Sequence, residues 1–268
     1  MKSYKRNIMI LASIFILTYL FISKLATKST QFIPHNEENY IKVHNKTITL
    51  YNSQKQKIHY YSLKDRIMDY GLGDLDGDNS DELVLISKKG IGNFGDKVSI
   101  FKIQNEIEKL YEEDFSRLKP WKVALGDIDG NGKCEISIGV YKKTPFHQVM
   151  AKRPFIYYFE DNRLFPKWRG SRLSKPFTDY NFCDIDGDNI DELMAIEILQ
   201  DGKKVVNAYK WKGFGFEGFL QSKGFNDIKD LRIEDGKAYV IIKDKEDKFK
   251  GMVKIKDNTL QIERTGIK

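Results

Sequence analysis

The most regular feature of this sequence is a recurrence of alternating positions. Met68, Tyr70 and Leu72 are matched by Trp121, Val123 and Leu125 and again by Thr178, Tyr180 and Phe182, a period of two that suits strands with one face against a core. Each set runs into a short acidic, glycine-bearing segment. A largely apolar run follows, Leu83–Ile86, Ile136–Val140 or Leu193–Ile196, which suits a strand covered on both faces. Further strands are predicted at Lys97–Ile103, Pro154–Phe159 and Lys204–Trp211, giving about four strands per repeat. A last unit without an acidic segment is expected from Asp230–Ile233, Lys237–Lys243, Gly251–Lys256 and Thr259–Glu263. An incomplete set, Ile41–Val43, Thr47–Tyr51 and Ile58–Ser62, precedes the first repeat.

The acidic segments make the repeat explicit: GDLDGDNSDELVLIS from Gly73, GDIDGNGKCEISIGV from Gly126 and CDIDGDNIDELMAIE from Cys183. Their first aspartates, Asp74, Asp127 and Asp184, lie 53 and 57 residues apart. A period near that of propeller blades, with several short strands per unit, predicts an all-β fold: a β-propeller of four-stranded blades. Nearly twenty strands favour five blades, with four as the alternative.

One segment breaks this pattern. Asn7 to Ser23 is uncharged and apolar at its centre, on the border between a signal-peptide core and a spanning helix. Lys24 stands where a cleavage site needs a small residue, so the expectation is an uncleaved transmembrane helix, with secretion after signal-peptide cleavage as the alternative. Lys2, Lys5 and Arg6 place the N-terminus inside and the rest outside. The expected organisation is a cytoplasmic tip and anchor over 1–28, a tether over 29–39, and the propeller over 40–268. Composition alters this little. The formal charge is +7, but residues 1–28 hold five bases and no acid, so the remainder is nearly balanced and nucleic acid is not an expected partner. Two cysteines, Cys134 and Cys183, do not make a disulfide framework.

Within each acidic segment, oxygen donors recur at positions 1, 3, 5 and 9. The sets are Asp74, Asp76, Asp78 and Glu82; Asp127, Asp129, Asn131 and Glu135; and Asp184, Asp186, Asp188 and Glu192. Calcium takes about six to eight hard oxygens, so a backbone carbonyl near position 7 (Ser80, Lys133, Ile190) is expected to add to each set. Glycine at position 4 and Gly or Asn at position 6 allow the tight backbone this requires. An EF-hand needs a bidentate Glu at position 12, where this chain has Leu85, Ile138 and Ala195. Scattered histidines offer no soft-metal site.

This pattern, D-x-D-G-D/N-x-x-x-E before an apolar strand, resembles the FG-GAP and VCBS repeats of integrin-α-like propellers over about residues 60–225. The resemblance implies strand-connecting calcium loops that stabilise blades rather than perform chemistry. The family's ninth ligand is usually Asp, whereas this chain has Glu. No nucleophile elbow, zinc motif or phosphate loop is present, and Asp65, Asp69, Asp179 and Glu160 form no convergent acid–base pair, so an enzyme is not expected. The function expected is a membrane-anchored extracytoplasmic module that binds an unidentified protein or polysaccharide. The alternatives are a polysaccharide-active enzyme and the sensor subunit of a membrane complex. Phe94, Phe146, His147, Trp168, Arg169 and Arg172 are candidate contacts, with the tryptophans more simply read as core and the run Lys167–Arg172 as a solvated face.

Overall fold

Period-two patterning predicts strands, and strands dominate the computed structural model, which describes residues 32–35, 39–244 and 247–266. Among these residues, twenty strands form five four-stranded antiparallel sheets, each a meander of sequence neighbours. The sole helical element among the described residues is a 3-10 turn at Ser116–Leu118. No helix among them is long and apolar enough to cross a membrane, and the apolar segment 7–23 lies outside the described residues.

The chain divides into two compact units, one running up to Arg66 together with Gln104–Ile107, the other comprising Ile67–Ile103 and everything from Glu108. The first unit contains β1 (Ile33–Pro34), β2 (Asn39–His44), β3 (Thr47–Asn52) and β4 (Lys57–Ser62). Ile41 and Val43 lie opposite Leu50 and Ile48, and all four are buried. Ile33 and Pro34 pair with Ile41 and Tyr40, so the sheet begins inside the stretch read as a tether. Two residues are too few to show a period. What marks them is Phe32, packed edge-on against Tyr40 and Tyr51.

The second unit holds the acidic repeats. Its sheets are β5 (Arg66–Gly73), β6 (Glu82–Lys88), β7 (Lys97–Ile103) and β8 (Ile107–Asp114); β9 (Lys122–Gly126), β10 (Glu135–Thr144), β11 (His147–Glu160) and β12 (Arg163–Trp168); β13 (Phe177–Cys183), β14 (Glu192–Ile198), β15 (Lys204–Trp211) and β16 (Phe216–Gln221); and β17 (Asp227–Glu234), β18 (Lys237–Asp244), β19 (Asp247–Lys256) and β20 (Thr259–Arg264). The second strands β6 and β14 are buried along almost their whole length, as continuous apolar runs require.

Burial on both faces follows from where the cores lie. Val84, Ile86 and Val98 of one sheet meet Ile136, Ile138 and Phe155 of the next. Ala124 and Ile156 then meet Tyr180, Phe182 and Leu193, and Met194 and Val206 meet Ile228, Val240 and Ile242. Each apolar layer is thus shared by consecutive sheets packed face on face, which is consistent with a propeller-like arrangement. Trp121, Trp168 and Trp211 pack against the middle layer, as their core reading expects.

First strands approach closely at glycines. A Cβ on Gly71 would lie 2.2 Å from Leu125, and one on Gly126 would lie 2.5 Å from Phe182. Two acids considered for catalysis act here as struts. Asp69 accepts the Val123 N–H at 2.8 Å, while Asp179 accepts from Lys122 Nζ at 2.6 Å and from the Leu231 N–H at 3.2 Å.

Candidate metal centres

Each acidic loop joins the first and second strands of its sheet, and its first aspartate builds the turn. Asp74 accepts N–H groups from Gly77 and Asn79 at 2.7 and 2.8 Å. Asp127 accepts from Gly130, Asn131 and Gly132, and Asp184 from Gly187, Asp188 and Asn189. These bonds need positions 4 and 6 in left-handed backbone, where Gly77 and Asn79 have φ of 84° and 64°.

The position-5 side chain closes the turn by accepting the position-7 N–H. Asp78 does so from Ser80, Asn131 from Lys133 and Asp188 from Ile190. The ninth-position glutamates enter from the starts of β6, β10 and β14 and are buried. One oxygen of each accepts the position-2 N–H, from Leu75, Ile128 or Ile185, at 3.0–3.1 Å. The other faces the loop.

Three carboxylates gather in each loop, and they are not the same three positions. Carboxylate oxygens of Asp74, Asp76 and Asp78 lie within 4.8 Å of one another, as do those of Asp127, Asp129 and Glu135, and of Asp184, Asp186 and Glu192. Ser80, Lys133 and Ile190 are seen through their backbone N–H groups, which donate to the position-5 side chains, while two of their own side chains reach the neighbouring loop. Lys133 covers Gly77, and Ile190 covers Gly130. The loops are also bonded in series. Cys134 donates its N–H to the Asp74 carbonyl at 2.7 Å, and Asp191 to the Asp127 carbonyl at 2.8 Å.

A lysine reaches into every loop, and the sequence reading did not anticipate any of the three. Lys102 Nζ lies 3.1 Å from Asp76, 2.7 Å from Asp78 and 4.0 Å from Glu82. Lys210 Nζ lies 2.6, 2.8 and 3.3 Å from Asp186, Asp188 and Glu192. Lys167, expected on a solvated face, instead pairs with Asp129 and Glu135. The signal was available in two copies: Phe101-Lys102-Ile103 and Tyr209-Lys210-Trp211 each place one lysine among apolar residues on the third strand. Leu83 pairs with Phe101 and Leu193 with Tyr209, so the lysine sits one step on, beside the loop's glutamate.

The electrostatics reflect this crowding. Burial pushes the Glu82 carboxyl up to about 7, and Asp76 and Asp78 add to the shift against the Leu75 N–H and Lys102. Burial also raises Glu135 and Glu192. Hydrogen bonds from the ammonium hold Asp78 and Asp188 below the usual carboxylate range, and Lys102 and Lys210 are correspondingly raised.

One atom tests whether a cation fits. Glu82 is 1% exposed, and its Oε1 has no hydrogen-bond partner although it faces Asp76, Asp78 and Lys102. A buried carboxylate oxygen without a partner is unfavourable, and a hard cation among these acids satisfies it. The carboxylates gathered in the first loop are those of Asp74, Asp76 and Asp78, hard oxygens that would suit calcium because each keeps lone pairs beyond its amide contacts. Both cysteines are free, and burial pushes their thiols up to about 12, which makes them poor metal ligands.

No model of a known protein family matches the sequence, and no curated protein matches it. The resemblance to FG-GAP and VCBS repeats accordingly stands on the three acidic loops alone.

Proposed function

We propose that this protein is a calcium-binding β-propeller of five blades, held outside a membrane by residues 7–23, where it serves as a binding or structural module. The observation that carries the calcium reading is the buried Glu82 Oε1, which has no hydrogen-bond partner and lies 4.0 Å from Lys102 Nζ, together with the cluster of Asp74, Asp76 and Asp78 in the same loop. The membrane reading comes from the sequence of the N-terminal segment. Calcium enters each loop by displacing a lysine, so each site exchanges one bound cation for another. The first loop offers the best exchange, because Lys102 leaves one Glu82 oxygen unsatisfied. The second offers the poorest, because Asn131 removes a charge and Lys167 contacts both Asp129 and Glu135.

A second reading is favoured by the lysines themselves: the ammonium groups are the loops' permanent counter-ions, and no metal is needed. Calorimetric titration of the purified chain with calcium, paired with thermal unfolding with and without chelator, separates the two. The calcium reading expects saturable binding, a Tm that rises with calcium by mass action, and loss of a site in Asp74→Ala and in Asp184→Ala. Absence of binding, with equal Tm in calcium and chelator, leaves the lysine reading in its place. Protease treatment of intact cells checks the orientation, with digestion of the sheets expected from outside.

A further inference from the structure

The ends of the sheets opposite the acidic loops have a different chemistry. In an antiparallel meander, a loop between the first and second strands lies at one end and the connection between the second and third strands at the other. The acidic loops of the second and third sheets share the first end, where Asp74 and Cys134 are hydrogen bonded. At the far end, Phe94 of the β6–β7 connection stacks on Tyr141 of β10, with ring centres 5.3 Å apart.

The β10–β11 hairpin extends well beyond its counterparts. β10 has ten residues and β11 fourteen, whereas β6 and β14 have seven each and begin at the equivalent glutamate. Three extra residues lengthen a strand by about 10 Å. Thr144 pairs with His147, which leaves Pro145 and Phe146 as the turn. Phe146 is 92% exposed, Val149 is 58% exposed, and Ile91 on the adjoining connection is fully exposed. Large apolar side chains at a loop tip are placed against solvation, so their surroundings decide their meaning.

Two further features narrow it. The tip is rigid: fully buried Arg153 donates to the carbonyls of Lys142, His147 and Val149 at 2.8–3.1 Å, and Gln148 donates to those of Thr144 and Pro145. An arginine with no carboxylate partner among these contacts is here committed to holding the turn in shape. The tip is also basic. From Ile136 to Phe159 the chain has no acid and Lys143 is its exposed base, and from Leu83 to Gly95 it has no acid and Lys89 is its exposed base, Arg153 and Lys88 being buried. Lys119 lies over the Phe94 ring, and the nearby Asp96 carboxylate accepts the Lys89 N–H.

Rigid apolar anchors surrounded by lysines match an interface that is negatively charged outside and apolar beneath. We propose that the Pro145–Phe146 turn and the Ile91 connection form a membrane-contact surface, with Phe146, Val149 and Ile91 entering an anionic bilayer and Lys89, Lys119 and Lys143 resting on its headgroups. This surface is independent of calcium, since it lies at the opposite ends of the strands from the acidic loops.

The test uses the full chain with Phe146→Trp, added to vesicles of phosphatidylcholine alone or mixed equally with phosphatidylglycerol, each containing brominated acyl chains. The N-terminal segment is common to all arms, so a change unique to the variant's tryptophan reports the tip. The expected result is a blue-shifted, quenched emission component, absent in the unsubstituted chain, that requires phosphatidylglycerol. It should weaken in high salt and disappear on adding Lys89→Glu and Lys143→Glu. Equal quenching in phosphatidylcholine alone, or none in either, overturns the proposal. So does an emission shift with soluble heparin and none with vesicles, which would assign the tip to an acidic polymer. The salt arm needs no charge reversal, so the test survives if the lysine variants fold poorly.

Discussion

The second acidic loop differs from the first and third in where its ammonium group originates. Lys102 and Lys210 stand on the third strands of their sheets, beside Glu82 and Glu192. In the middle sheet Ile136 pairs with Tyr157, so Tyr158 occupies the matching place, and Lys167 reaches in from the fourth strand instead. A point in space among the carboxylates holds positive charge in all three loops, although no single sequence position supplies it. One ammonium offsets part of the acidic charge in each loop, and strand register decides which strand supplies it.

The comparison is broken or sharpened by five substitutions. Lys167→Met has the largest expected effect, a loss of about 2–3 kcal/mol in denaturant unfolding with chelator, because it leaves buried Glu135 beside Asp129 uncompensated. Lys102→Met is expected to lose about 1 kcal/mol, since its nearest partners Asp76 and Asp78 are well exposed to solvent screening. Equal losses would remove the distinction between the loops.

Asp191→Ala ranks between these two. Its carboxylate accepts the Asp127 N–H at 3.0 Å across two loops, so replacing it should cost about 1–2 kcal/mol. Cys134 holds the same eighth place in the preceding loop, and Cys134→Ser should change stability by about 0.5 kcal/mol or less in the same unfolding assay. Tyr158→Lys added to Lys167→Met is the most specific: it should restore about 1 kcal/mol by returning the lysine to the third strand. Failure to restore anything would mean that placement on the fourth strand matters for its own sake.

Much of this fold could be read from the chain. Alternation at Met68, Tyr70 and Leu72 and the apolar run after Glu82 mark strands because side-chain period and burial are local properties. Four strands per unit followed from the alternating and apolar runs in each repeat. The predicted Pro154–Phe159 strand proved to be only the end of β11, because His147–Arg153 mixes polar and apolar residues without alternation and pairs across a hairpin that leaves the core. The loop donors at positions 1, 3, 5 and 9 were legible as a set. Their division of labour was not, since which oxygen accepts an amide depends on backbone that only the folded turn defines. The lysines were missed for a similar reason: an ammonium 18–32 residues downstream becomes a neighbour only once strand register is fixed.

The bonds from Cys134 to Asp74 and from Asp191 to Asp127 link the acidic turns like carriages. Slack taken up in one turn is handed to the next, so amide protons along this end should exchange with solvent as one group, slowing together whenever any single turn is fastened.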